Sequence, residues 1–339
     1  MQPIFMVGMQ RSGSNLLRLM LNQLKDIASP HPPHILQRLY PLLDHYGDLS
    51  NRRSFAVLAD DVCRLVELNP VPWDGVRLDR DDVLSRCREN SLMALHGAAY
   101  DVCAMAWDAL TWCSKSLANI YWVEAIEQYF AAPKYIYLYR DGRDVALSFR
   151  KAVVGEKHIY NIAKAWAKIQ EIGLALRKRI PPDRFFALAY EELTAEPEST
   201  ARRLCMFLGV DYVDKMLEFH HSDEAKRAAG ASTLWGNLTQ PVITNNTGKF
   251  LHEASVHDVR IFESVAGHVL DRLGYERVYV RNGDELVFSE LEIKAFHAEN
   301  ERLKHSVVES IDKDDLERRD RQASLISEIR SRAALRSIA

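Results

Sequence analysis

The chain has 339 residues, enough for one large domain or two small ones. Apolar residues make up 47% and charged residues 27%, and the formal charge of −3 gives no overall attraction to nucleic acid or anionic lipid, so any anion site must be local. No apolar run approaches the roughly 20 residues of a membrane span, and Met1 stands too close to the first strand to leave room for a signal peptide.

The apolar run Ile4 to Val7 reads as a buried strand that stops at Gly8. Gly13, Ser14 and Asn15 follow, and then Leu17, Met20, Leu21 and Leu24 at helical spacing. Strand, glycine loop and helix in that order build an anion site, because glycines let backbone N–H groups approach a phosphate at a helix start. The Gly-x-x-x-x-Gly frame is that of a nucleotide-triphosphate loop, but Ser14 stands where its lysine would be, and the charge lies within the loop at Arg11. That argues against ATP or GTP hydrolysis. Ile27-Ala28 starts a short second strand, followed by Ser29-Pro30-His31-Pro32-Pro33-His34. Residues 35–109 are mostly helical by pattern, broken by a loop at Asn69 to Gly75. Leu110 to Ser114 is a short strand, with Lys115 and Ser116 just beyond it, and 119–130 is helical.

Tyr135 to Tyr139 is a further strand, Asp141-Gly142 a turn, and a helix begins near Asp144. Arg140 stands at the strand end and Ser148 eight residues on, a planar cationic fork and a hydroxyl suited to a phosphate. Arg143 and Asp144 read as a solvated pair. Residues 159–179 make an amphipathic helix ended by Pro181-Pro182; Phe185 onward is a strand ending at Tyr190. Residues 195–275 continue helical with one loop at 230–250, which carries Trp235 and Lys249. Strands alternating with helices predict an α/β fold, a parallel sheet covered on both faces. Residues 285–339 are highly charged, with a sparse seam of Ile293, Phe296, Leu303 and Val307 interrupted by Asn300. Such a seam fits either packing on its own subunit or a homodimer contact through these C-terminal helices. The five scattered cysteines include no Cys-x-x-Cys pair, which predicts reduced thiols, a cytoplasmic setting and no zinc site.

Val7-Gly-Met-Gln-Arg-Ser-Gly-Ser-Asn-Leu16 resembles the 5′-phosphosulfate loop of sulfotransferases that use 3′-phosphoadenosine 5′-phosphosulfate (PAPS), with Gln10 for a usual proline and Ser14-Asn15 for a threonine pair. Residues 134–150 resemble the family's 3′-phosphate motif, with Gly142 for its proline; Tyr190-Glu-Glu-Leu193 and Gln240 to Phe250 are similar to two later segments. The resemblance implies a P-loop-like domain over 1–280, with a helical acceptor-side region at 35–112 and an extension at 285–339. It implies sulfuryl transfer from PAPS to a small-molecule or glycan hydroxyl, leaving the desulfated nucleotide PAP, without a metal. It places Arg11, Ser12, Gly13, Ser14 and Asn15 at the phosphosulfate, Arg140 and Ser148 at the 3′-phosphate, Tyr190 near the adenine, and Trp235 and Lys249 in a loop closing over the nucleotide.

Transfer needs a cation against the charge that builds on the bridging oxygen, and a base for the acceptor. Arg11 is the first candidate cation and Lys115 the second. Relatives with an arginine-type loop present a glutamate after the second short strand; this chain has His31 nearly at that place and His34 three residues on. An imidazole titrating near 6.5 suits a base working near neutrality. His34 is the alternative, and both would otherwise be surface histidines capping the next helix. Two rival functions remain: a scaffold that binds PAP or PAPS without catalysis, motivated by the missing glutamate, and a P-loop kinase, which lacks its loop lysine here.

Overall fold

The structure, a computed structural model, describes residues 1–231, 233–309 and 313–336. Five parallel strands form one sheet in the order β2-β3-β1-β4-β5: β1 Ile4–Gly8, β2 Ile27–Ala28, β3 Thr111–Ser114, β4 Lys134–Tyr139 and β5 Phe185–Ala189. All five residues of β1 are buried, as expected of a central strand covered on both faces. The period-2 alternation sorts its side chains. Phe5 and Val7, with Tyr135 and Tyr137 of β4, enter the core beneath helices Arg52–Glu67 and Leu92–Ala106. Ile4 and Met6, with Ile136 and Leu138, enter the opposite core with helices Ser14–Leu21 and Pro197–Leu208. A third core joins Val145, Phe149, Trp166 and Phe262.

The register puts Gly8 beside Leu138, so the loop after β1 and Arg140 after β4 leave the same edge of the sheet. β1 is also where the strand order reverses, between β3 on one side and β4 on the other. Open α/β sheets bind ligands in the crevice at that point.

Several boundaries differ from the sequence reading. β3 starts at Thr111, and Leu110 is exposed. The helix after β4 begins at Gly142, not near Asp144, because the Asp141 side chain accepts from the Arg143 N–H and caps it. Gly142, where the resemblance implies a proline, leaves no space for a side chain: a Cβ there would lie 2.3 Å from the Phe262 ring and 2.6 Å from that of Trp166. Tyr190 opens a short helix, Tyr190–Ala195, and does not end β5. Between 210 and 250 the described residues hold short 3-10 turns (Asp214–Met216, Phe219–His221, Thr233–Thr239) and the helix Asp223–Ala231, joined by irregular segments.

The C-terminal extension forms helices Glu290–Glu309 and Lys313–Arg336, and it packs on its own chain. Phe296 stacks on His158 at 4.7 Å and lies 5.2 Å from the Tyr160 ring. Asn300, read as a coiled-coil interruption, is buried, and its Oδ1 accepts from the N–H groups of Lys157 (2.8 Å) and His158 (2.9 Å). Leu325 and Ile329 enter the first core. Ile293, Phe296 and Asn300 of the seam are thus engaged within the subunit.

Candidate active site

The loop between β1 and helix Ser14–Leu21 is shaped by two residues with positive φ. Arg11, at 72°, is in the left-handed region that non-glycine residues rarely adopt, and its Nε donates to Ser148 Oγ at 2.8 Å. Gly13, at 86°, lies against Tyr190, where a Cβ would come within 2.3 Å of the ring.

Arg140 ties the second motif to the first. Its guanidinium lies over the Tyr190 ring at 4.4 Å and donates to the carbonyls of Arg11 (3.4 Å) and Asn246 (2.5 Å). Asn246 in turn donates through Nδ2 to the Tyr190 hydroxyl at 2.8 Å. Asp144 accepts from the backbone N–H of Gly248 at 2.8 Å and of Phe250 at 3.0 Å, which pins the 246–250 segment beside Arg140. Burial pushes the Asp144 carboxyl up, and neighbouring Arg140 opposes the shift. The reading of Arg143 and Asp144 as a solvated pair is therefore corrected: both are buried. Arg143 pairs with Asp141 at 2.7 Å and Glu263 at 2.6 Å and lies over the Phe250 ring. Its role is to brace the turn that carries Arg140.

These groups surround a cavity of about 330 Å³. Arg11, Gly13, Ser14, Asn15, Arg140, Ser148, Tyr190, Trp235 and Lys249 all line it, as do Asp144, Lys151 and Asn246. Ser12 does not; it is fully buried. Ser12 Oγ, Asn15 Oδ1 and Arg140 Nε are buried without a hydrogen-bond partner among the described residues. Of these, Arg140 Nε is the donor on a residue that lines the cavity; native structures rarely leave such a donor unsatisfied, and it suits an anionic ligand, whereas Asn15 Oδ1 only accepts and Ser12 lies outside the lining.

Lys115, His31 and His34 do not line this cavity. They form a second group beyond the end of β3. Lys115 is buried; desolvation, then Arg18 and Arg11, push its ammonium down to about 7. His31 is buried too, and is not a surface cap. Burial first, then the charges of Arg18, Lys115 and His34, hold its imidazole well below 6.5, while its bond to Asn69 opposes the shift. Half-buried His34 opens the next helix with φ 61°, makes no side-chain cap, and sets Nδ1 3.0 Å from Ser116 Oγ. Burial, Lys115 and Arg38 push it down to about 3. Trp235 joins the two groups: it lines the cavity, and its ring lies 5.1 Å from that of His31.

Sequence reasoning missed Arg18, Asn69 and Asn246. Arg18 is fully buried, ion-paired with Glu224, and donates to the Ser29 carbonyl at 3.1 Å. A lone arginine inside Leu-Leu-Arg-Leu-Met-Leu was a readable signal, since a charge on an apolar helical face demands a partner. Asn69 and Asn246 sit in loops with no pattern to mark them. No group of three or more His, Cys, Asp or Glu among the described residues is arranged to hold a metal, and none of their helices is long and apolar enough to cross a membrane.

A glycine loop carrying Arg11, between a strand and a helix at the switch point of a parallel sheet, defines a P-loop-like α/β protein. The sulfotransferase family matches residues 3–214, more than half of the chain, and the protein belongs to that family. A protein-tyrosine sulfotransferase of Drosophila melanogaster is 23% identical over 232 residues, which cover 67% of this chain and 41% of the fly protein. Protein-tyrosine sulfotransferase 2 of Gallus gallus is 24% identical over 234 residues, covering 68% of this chain and 56% of the chicken protein. The chain thus spans about half the length of these relatives. Among solved structures, the sulfotransferase domain from the curacin biosynthetic pathway superposes with a TM-score of 0.57 at 22% identity, covering 81% of this chain and 98% of that domain. The sulfotransferase domain of the Synechococcus PCC 7002 olefin synthase gives 0.55 at 20% identity, covering 81% and 95%. These likenesses establish the fold.

Proposed function

We propose that the protein transfers the sulfuryl group of PAPS to a hydroxyl acceptor by in-line displacement, leaving PAP and a sulfate ester. The observation that carries this reading is the meeting of Arg11, Ser148 and Arg140 around one cavity, with the two motifs in direct contact. PAPS supplies the activated sulfuryl group; the chain's residues bind, orient and move protons. The N–H groups of residues 13–15 and the Arg11 guanidinium hold the 5′-phosphosulfate, with Ser12, Ser14 and Asn15 completing the loop. Arg140 and Ser148 hold the 3′-phosphate, and Arg140 exchanges its bond to the Asn246 carbonyl for one to the phosphate. Tyr190 and Trp235 flank the adenine, and Lys249 adds charge from the closing loop. Arg11 and Lys115 stabilise the charge that builds on the bridging oxygen. His31 takes the acceptor proton, with His34 as the second candidate.

Residues 1–280 constitute the transferase unit and 285–339 a brace on it. The acceptor approaches from the 35–112 helices, on the side of His31. Small-molecule, glycan and peptide hydroxyls all fit this chemistry; the two relatives are named for protein tyrosine, whose phenolic hydroxyl is one such acceptor.

The test is sulfate transfer from labelled PAPS to a panel of hydroxyl acceptors. Transfer by the wild type, lowered about 100-fold or more in His31→Ala with PAP affinity intact, supports the reading. A wild type that binds PAP and sulfates no acceptor returns the function to the scaffold alternative.

A further inference from the structure

His31 is held by three hydrogen bonds from the 69–73 loop. Asn69 Nδ2 donates to the His31 carbonyl at 2.7 Å, Trp73 Nε1 donates to the same carbonyl at 2.6 Å, and Asn69 Oδ1 lies 3.1 Å from His31 Nδ1. The first bond decides the meaning of the third. A carbonyl only accepts, so the Asn69 amide must turn its NH2 toward it and its oxygen toward the ring. Oδ1 also only accepts, so Nδ1 must carry a proton. In a neutral imidazole the lone pair then sits on Nε2.

Nε2 is buried and finds no hydrogen-bond partner among the described residues. The ring lies beside Trp235, which also lines the nucleotide cavity.

We infer that Asn69 is a positioning residue that fixes His31 in its Nδ1–H form, so that Nε2 is the atom that accepts the acceptor's proton. This rests on the reading of His31 as the base. The proton leaves the acceptor hydroxyl for Nε2 as the new oxygen–sulfur bond forms and the bond to the departing phosphate oxygen breaks, and the imidazolium that results keeps its Nδ1–H bond to Asn69 Oδ1. The groups facing this ring set its working range. Arg18 from the phosphate-loop helix, Lys115 after β3 and His34 all disfavour the imidazolium; the Asn69 bond alone favours it.

The experiment has an arm that is independent of activity. Long-range ¹⁵N–¹H NMR on the ¹⁵N-histidine-labelled wild type, with His31 assigned by its loss in His31→Gln, reads the tautomer directly. The expected result is the Nδ1–H form at neutral pH. In Asn69→Ala this preference is lost, and kcat falls on the order of ten- to a hundredfold with PAP affinity unchanged. Asn69→Asp keeps an acceptor for Nδ1 and adds a negative charge while losing the donor to the His31 carbonyl, which Trp73 still holds, so the tautomer is retained and the acid limb of the kcat profile moves to higher pH. An Nε2–H form in the wild type, or an unaltered tautomer in Asn69→Ala, overturns the inference whatever the activity. Unchanged kcat in His31→Ala overturns the choice of base, which the tautomer reading does not touch.

Discussion

Arg11 Nε donates to Ser148 Oγ at 2.8 Å, across a separation of 137 residues in the chain. The contact joins the loop assigned to one end of the nucleotide to the helix assigned to the other. It follows that the two ends are not read independently.

A double-mutant cycle checks this coupling. Arg11→Ala and Ser148→Ala are each expected to weaken PAP binding about tenfold or more, since each removes a donor to a charged group. The double variant should lose less than the product of the two, because the second change removes a partner already lost. Additivity within about 0.5 kcal/mol would mean the contact carries no coupling.

With Lys115 acting on the bound phosphosulfate end as proposed, nucleotide binding acquires a pH dependence with a definite sign. Its ammonium is pushed down to about 7 by burial and by Arg18 and Arg11, so above that pH the free protein presents a neutral amine. A bound anion favours the protonated form. PAP affinity should therefore be level just below pH 7 and fall above it, by up to about tenfold per pH unit. The phosphates of PAP are already ionised there, with second pKa values near 6. Calorimetric titrations between pH 7 and 9 measure the slope, and Lys115→Met should abolish it. A slope that survives in this variant would place the titrating group elsewhere.

Much of this site was legible because its chemistry is local in the chain. Gly8, Gly13 and Arg11 mark a glycine loop with a cation between a strand and a helix, and Arg140 and Ser148 keep a fixed spacing across a strand end. The C-terminal seam at Ile293 and Phe296 was visible as a seam, but periodicity does not say which surface it meets; the answer lies in Tyr160 and His158, far away in sequence. Asp144 and Arg143 were misread for a similar reason. Their partners, Gly248, Phe250 and Glu263, come from loops and helices more than 100 residues on. Tyr190, expected near the adenine, lines the cavity, and it opens a helix and does not close a strand.

The buried histidines predict the acid limb of stability. His96 is packed among Phe5, Tyr100 and Trp112, neither ring nitrogen has a hydrogen-bond partner among the described residues, and burial pushes it down to about 3. Its folded value lies below the unfolded one, near 6.5. Its contribution is therefore fully present above pH 6.5 and is lost as pH falls toward the folded value, by about 1.4 kcal/mol per pH unit. His31 acts in the same direction. Denaturant unfolding at a series of pH values from 6.5 to 5 should show a slope shallower by about one proton in His96→Leu. An unchanged slope would mean that His96 is already protonated in the folded protein.

The central claim is that the cavity between Arg11 and Arg140 is a PAP and PAPS site. Calorimetric titration of the purified protein with PAP, and separately with ATP, in the presence of EDTA tests it most directly. The expected result is PAP binding that needs no metal and is weakened about tenfold or more in Arg140→Ala. No PAP binding, or ATP binding that appears only when Mg²⁺ is restored, would contradict it.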